Sequence, residues 1–349
     1  MKKALIISIV LLLLFSMIAC GKKNQKQDGS IDVESRTHTG AIELESDFSG
    51  EIYLDDEYMK DISPSEAITL NDVPVGEHTV TLEYAGKTLT QEITVNRNEK
   101  SFHSFKESIK SIKMTRIDGG SFWMGDRDGE SDELPVHQVN VSSFLMGTYQ
   151  ITQKEWQSVM GYNPSRFKGD NLPVDNIDWY EAVKFCNKLS SLEGLTPCYS
   201  GSGVNTKCNW NADGYRLPTE AEWEFAATGG NNSNEYTYSG SGSIGSVGWY
   251  SGNAGGRTKA VGSKKPNELG IYDMTGNVWE WCWDWHDEYY YSNSPSRDPK
   301  GADSGKERVF RGGAYNSAAV HCRSANRGFI YPDKPGNIVL GLRVAKKSR

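Results

Sequence analysis

Tyr215-Arg-Leu-Pro-Thr-Glu-Ala-Glu-Trp-Glu224 reads as the end of a strand turning into a helix. Proline and threonine suit a helix start, and acidic side chains in the first turn complement the helix dipole. Downstream, Gly276-Asn-Val-Trp-Glu-Trp281 needs glycine for a tight backbone and tryptophan to fill a cavity. Two helical stretches lie upstream. Thr152-Gln-Lys-Glu-Trp-Gln-Ser-Val-Met160 opens on a threonine able to cap, with Glu155 three residues later in a capping-box arrangement. Asp178 to Leu189 carries apolar residues at helical spacing. The rest of Met114 to Lys347 is rich in Gly, Asn and Ser, which predicts little regular structure and a core filled by aromatic side chains.

N-terminal to this zone the pattern changes. Ala41-Ile-Glu-Leu-Glu45, Glu51-Ile-Tyr-Leu-Asp55, His78-Thr-Val-Thr-Leu-Glu-Tyr84 and Leu89-Thr-Gln-Glu-Ile-Thr-Val95 alternate with period two, which predicts half-buried antiparallel strands in a small sandwich. Gly21 to about Thr39 is polar and reads as a flexible tether. Lys2 and Lys3 precede an apolar run, Ala4 to Ala19, that is short for a permanent membrane span and reads as an export signal. The expected boundaries are 1–20 for the signal, 21–39 for the tether, 40–105 for the sandwich and 112–347 for the aromatic-rich domain.

The 349 residues include 38 basic and 45 acidic side chains, a formal net charge of −7. Polynucleotide binding requires a basic face that releases phosphate counterions, so nucleic acid is excluded as an expected partner.

Eight ordered blocks resemble the formylglycine-generating enzyme, or sulfatase-modifying factor, family. They are Ile117-Asp-Gly-Gly-Ser-Phe-Trp-Met-Gly125, Glu133-Leu-Pro-Val-His-Gln-Val139, Ile151-Thr-Gln-Lys-Glu-Trp156, Leu172-Pro-Val-Asp-Asn-Ile-Asp-Trp-Tyr180, the 215–224 stretch, Asp273-Met-Thr-Gly-Asn-Val-Trp-Glu-Trp281, Arg311-Gly-Gly-Ala-Tyr315 and Gly341-Leu-Arg343. The resemblance implies an α+β domain with a C-type-lectin-like core, here preceded by the small all-β sandwich. Val73-Pro-Val-Gly-Glu-His78 resembles the signature turn of PEGA modules, which implies a spacer or adhesion role. Met17-Ile-Ala-Cys-Gly21 resembles a bacterial lipobox. That implies lipidation of Cys20 and a lipoprotein anchored in the membrane, at the cell surface or on the periplasmic side of the outer membrane.

The family's catalysts oxidise a substrate cysteine with a Cys-x-x-x-x-Cys pair that binds copper(I), the metal soft thiolates prefer. Here the region offers Cys322 alone, and counting five back lands on Ser317. No copper is therefore expected, and the enzymatic alternative, oxidation of cysteine in a protein substrate, lacks half of its thiol pair. His137, His286 and His321 are isolated in sequence and form no recognisable metal triad. The Gly-Asn-x-Trp-Glu turn implies a structural calcium site using Asn277, the carbonyl of Val278 and Glu280, unless these groups bond to neighbouring backbone instead. Besides Cys20 there are five cysteines: Cys186, Cys198, Cys208, Cys282 and Cys322. Cys198 and Cys208 flank a Gly-Ser-rich loop, as in a local hairpin disulfide, while Cys186–Cys322 and Cys282–Cys322 remain alternative long-range pairs.

With the scaffold whole and the thiol pair incomplete, recognition of a protein or glycan ligand at the cell surface is the expected role. Frames at Arg311-Gly-Gly, Cys322 to Arg327, Pro332-Asp333 and Gly341 to Ala345 alternate with irregular segments at 316–321, 328–331 and 337–340. This layout resembles the variable proteins of diversity-generating retroelements, including the Treponema variable protein type. The resemblance implies a ligand face built from Tyr315, Asn316, Ser317, Ala319, His321, Phe329, Ile330, Tyr331, Asn337 and Val339. Exposed aromatics among small polar residues suit protein recognition.

Overall fold

A computed structural model of the protein describes residues 38–64, 66–84, 86–105, 112–333 and 339–348. Cys20, the signal, most of the tether and Asn337 lie outside the described residues. Among the described residues, no helix is long and apolar enough to cross a membrane.

The alternating N-terminal runs form seven strands: β1 (Thr39–Ser46), β2 (Gly50–Leu54), β3 (Glu57–Ile62), β4 (Ile68–Pro74), β5 (Gly76–Tyr84), β6 (Lys87–Val95) and β7 (Lys100–Phe105). They make two sheets, ordered β4-β1-β7 and β3-β2-β5-β6. Their inward residues, among them Ile42, Leu44, Ile52, Val80, Leu82 and Val95, form one buried cluster. One pairing departs from the all-antiparallel expectation. After β6 the chain crosses to the other sheet, where β7 runs parallel to β1 with Ile42 opposite Ser101.

The aromatic-rich domain begins with β8 (Met114–Ile117), β9 (Gly120–Met124), β10 (His137–Val141) and β11 (Phe144–Gly147). Helix α1 (Gln153–Met160) is capped by Thr152 and α2 (Trp179–Leu192) by Asp178, each in a full capping box. After β12 (Tyr199–Ser200) and β13 (Lys207–Cys208), the chain that follows Leu217-Pro-Thr219 forms α3 (Glu220–Ala227). Thr219 caps it, with Glu222 closing the box. The short helices α4 (Ile244–Val247) and α5 (Tyr290–Asn293) are followed or flanked by β14 (Trp279–Trp285), β15 (Arg308–Arg311), β16 (Arg327–Ile330), β17 (Leu340–Gly341) and β18 (Ala345–Lys347).

The sheet that positions the candidate site has the order β16-β15-β14-β17. Helix α3 packs against β14 and β15 and closes one side of it. Aromatic side chains fill the core as expected: Trp156, Trp179, Trp223 and Trp281 are fully buried. A buried indole N–H favours an acceptor, and all of these but Trp156 have one among the described residues. Trp179 donates to the Cys282 carbonyl at 2.8 Å, Trp281 to that of Ile177 at 3.1 Å and Trp223 to Glu280 Oε2 at 2.7 Å.

Candidate functional site

The C-terminal segments separate into a buried frame and exposed tips. At the end of β15 the chain turns through Gly312 and Gly313, both at positive φ. A Cβ on Gly313 would lie 2.3 Å from Cys322 Sγ, so only glycine lets the two strands of chain approach. The following loop is closed by Ser317, whose hydroxyl accepts from the Ala314 N–H at 3.0 Å. The Tyr315 N–H donates to the Asn277 carbonyl at 2.8 Å. A single 3₁₀ turn, Ala319–Cys322, then leads back into β16.

Three arginines lock this frame to the rest of the domain. Arg327 grips Glu220 with Nε at 2.7 Å and Nη2 at 2.9 Å. Arg311 bonds the same Glu220 oxygen at 2.9 Å and also pairs with Glu224. Arg323 holds both oxygens of Glu133, at 2.9 and 2.6 Å, and Asp126 at 2.8 Å. Burial pushes Glu220 up, yet Arg327 and Arg311 win and hold it below its ordinary value. For Glu224 burial outweighs Arg311, and the carboxyl rises to about 7. Asp284, which accepts the Glu220 backbone N–H at 2.8 Å, rises to about 8 through burial and the neighbouring Glu220 charge.

The tips are what remains outside the frame. Asn316 and His321 are exposed, as are Phe329 and Tyr331 at 42% and 47%. Phe329 lies flat on the His286 ring, with centroids 3.6 Å apart. Other residues expected on this face belong to the frame. Tyr315 is buried edge-on against Phe167, because its backbone is drawn in by the bond to Asn277. Ser317 and Ala319 are half-buried in the loop, and Ile330 packs on the hydrophobic core. Val339 is half-buried, with its carbonyl accepting from the Trp279 N–H at 2.9 Å.

The structure adds neighbours that sequence spacing could not reveal. His286 and His321 come together in a cavity of about 550 Å³, lined also by Glu130, Asp132 and Glu288. His137 is elsewhere, tilted against Tyr291. A separate groove of about 700 Å³, lined by Arg323, carries Trp123 and Tyr236, exposed aromatics that lie far from the C-terminus in sequence. Val320, on the 3₁₀ turn, is also exposed.

The expected calcium ligands are engaged by groups of the protein itself, although Gln150 Oε1 beside them is buried without a donor among the described residues. Asn277, at positive φ, spends its side chain on the backbone of Lys259, accepting at 2.9 Å and donating at 3.1 Å. Glu280 is held by Arg343 at 2.8 and 3.0 Å, in addition to Trp223. The Gln150 amide nitrogen lies 2.9 Å from the Val278 carbonyl and 3.0 Å from Glu280 Oε1. It is also 3.1 and 3.3 Å from the carbonyls of Asp273 and Gly276. A guanidinium and an amide supply the positive charge and donors that a metal would supply. Among the described residues, no group of three His, Cys, Asp or Glu is placed to hold a metal.

The expected Cys198–Cys208 bridge is absent too, as all five described cysteines carry free thiols. Register explains this: β12 and β13 place Tyr199 opposite Cys208. Cys198 precedes β12 and is one residue out of register with Cys208. Cys322 is enclosed and, among the described residues, has no thiol partner, and burial pushes it up to about 12.

Comparison with known proteins agrees with this geometry. The family model of the sulfatase-modifying factor enzyme 1-like domain matches residues 99–348. Treponema denticola variable protein 1 superimposes with a TM-score of 0.63 at 35% identity, over 70% of this chain and 99% of that one. Chaperone protein LppX of Paenibacillus barcinonensis is 42% identical over 50% of this chain and 72% of its own length. The formylglycine-generating enzyme of Streptomyces coelicolor is 30% identical over 66% of this chain and 88% of its own length. The chain spans only 40% of the serine/threonine-protein kinase pkn1 of Chlamydia caviae, at 32% identity. A frame of arginine–carboxylate pairs around the Arg-Gly-Gly turn, together with a family match over most of its length, establishes that this chain belongs to the sulfatase-modifying factor enzyme 1-like domain family.

Proposed function

We propose that the protein is a membrane-anchored lipoprotein, attached through Cys20, whose C-terminal face binds a ligand at the cell surface. The observation that carries this reading is the division of the 311–331 segment into a charge-locked frame and protruding tips. Asn316, Val320, His321, Phe329 and Tyr331 are exposed, whereas Arg311, Cys322 and Arg327 are buried. Such a division lets tip residues vary without disturbing the core, as a recognition surface requires. Likeness to Treponema denticola variable protein 1 supports variation at those tips between copies of the gene. The test is sequencing of the codons for Ala314 to Leu342 in many isolates. Adenine-directed variation confined to 316–321, 328–331 and 337–340 is expected, and invariance would return the protein to a single fixed ligand.

The second reading, oxidation of a cysteine in a protein substrate, draws on the likeness to formylglycine-generating enzymes. Ser317 and the enclosed Cys322 speak against it, because a hydroxyl already bonded in its own turn is a poor copper(I) ligand. Incubation with copper and a cysteine-containing sulfatase peptide is expected to give no aldehyde by mass spectrometry. Aldehyde product would establish the enzyme.

A further inference from the structure

We propose that the cavity beside Phe329 receives a lysine or arginine side chain of a protein ligand, an inference that rests on the recognition reading above. The cavity, about 550 Å³, is lined by Glu130, Asp132, His286, Glu288, His321 and Phe329, with Arg327 at its edge. Arg327 is its one permanent cation; it bonds Glu220 at 2.7 and 2.9 Å and lies 3.9 Å from Asp132 Oδ2, so Glu130 and Glu288 are the carboxylates it does not reach. Glu130 and Glu288 are exposed and, among the described residues, form no ion pair. The uncompensated charge at the mouth is therefore negative, which draws in a cation and repels a carboxylate or phosphate.

Two further features suit the head group of a basic side chain. Phe329 is backed by the His286 ring at 3.6 Å and is 42% exposed, so its ring is held ready for a cation–π contact. His286 is only 11% exposed and its Nε2 faces Asp132 Oδ2 at 3.5 Å, which holds the ring in place behind Phe329. A guanidinium or ammonium entering the cavity meets the exposed Glu130 and Glu288 carboxylates, with Asp132 as a further acceptor.

The test uses trilysine and triarginine as probes and triglutamate as control, followed through the imidazole Cε1–H signals of isotope-labelled full-length protein. The chain has six histidines, so the His286 and His321 signals are assignable by substitution. The basic peptides are expected to shift these two signals saturably, with affinity falling as salt rises, while triglutamate leaves them unmoved. The double variant Glu130→Gln/Glu288→Gln is expected to weaken binding about tenfold or more with an unchanged melting temperature. Phe329→Ala should weaken it as well. Unmoved signals, equal shifts with triglutamate, or undiminished binding in the double variant would overturn the proposal. If a natural ligand is lost in Phe329→Ala/Tyr331→Ala but kept in Glu130→Gln/Glu288→Gln, the recognition face stands and the basic ligand class falls.

Discussion

At the turn that contains Asn277 and Glu280, the Gln150 side chain stands against the oxygens a metal would use. Its amide nitrogen faces three carbonyls and one carboxylate oxygen at 2.9 to 3.3 Å, beside an Arg343 that already neutralises Glu280. A ligand at ~100 times its dissociation constant stabilises a fold by about 2.7 kcal/mol. Calcium is accordingly expected to leave the melting temperature flat in a differential scanning calorimetry titration, and chelator likewise. A concentration-dependent rise would restore the turn as a calcium site. Asp284 yields a second prediction. Its carboxyl rises from 3.8 unfolded to about 8 folded, so its contribution to stability is present below about pH 4 and is lost as pH climbs toward 8. Asp284→Asn keeps an acceptor for the Glu220 N–H but does not titrate. Its stability relative to wild type should therefore grow over that window, by at most about 1.4 kcal/mol per pH unit in urea unfolding. A constant difference would show that Asp284 is ionised throughout.

At the scale of elements, the Arg311–Gly313 corner and the 3₁₀ turn after it form one device with a rigid side and a permissive side. Gly313 combines φ +79° with a 2.3 Å approach to Cys322 Sγ, so Gly313→Ala meets both backbone strain and a clash. A loss of about 2 kcal/mol or more is expected by chemical denaturation. Val320→Ser and His321→Ala, on the exposed tip a few residues away, are expected to stay within about 0.5 kcal/mol of wild type. Equal costs at both places would contradict the division into frame and tip. Parts of this element pattern were readable in advance. The Thr152 and Asp178 capping boxes, and the helix start after Leu217-Pro-Thr219, depend on contacts within four residues, so local sequence specifies them. Strand β14 was not read as a strand, although Trp279-Glu-Trp-Cys-Trp-Asp-Trp285 places a tryptophan at every second position; its other face, Glu280, Cys282 and Asp284, is buried as well, Glu280 against Arg343.

Across the whole domain, Glu220 is the junction where α3, β15 and β16 meet, since Arg311 and Arg327 both converge on it. Arg327→Ala leaves a buried carboxylate short of a partner and is expected to cost about 3–5 kcal/mol. Removing the guanidinium also loosens β16, so Phe329 should lose its fixed place on His286. Urea unfolding measures the first effect, and broadening of the His286 imidazole signal measures the second. A variant of wild-type stability would show that Arg311 alone suffices to hold Glu220.

The sequence by itself determined the fold class, the alternating N-terminal strands, the capped helices and the family, because each depends on local periodicity or on ordered motifs along one chain. Tertiary structure decided the site. Tyr315, Ile330 and Val339 fell to the frame through backbone bonding and packing, while Glu130 and His286 joined the candidate face from distant positions. Pairing likewise needed three dimensions: one residue of register separates Cys198 from Cys208, and Arg343 reaches Glu280 across 63 residues of chain. Charge compensation and exposure depend on which groups meet in space, and a linear pattern records only which groups are neighbours along the chain.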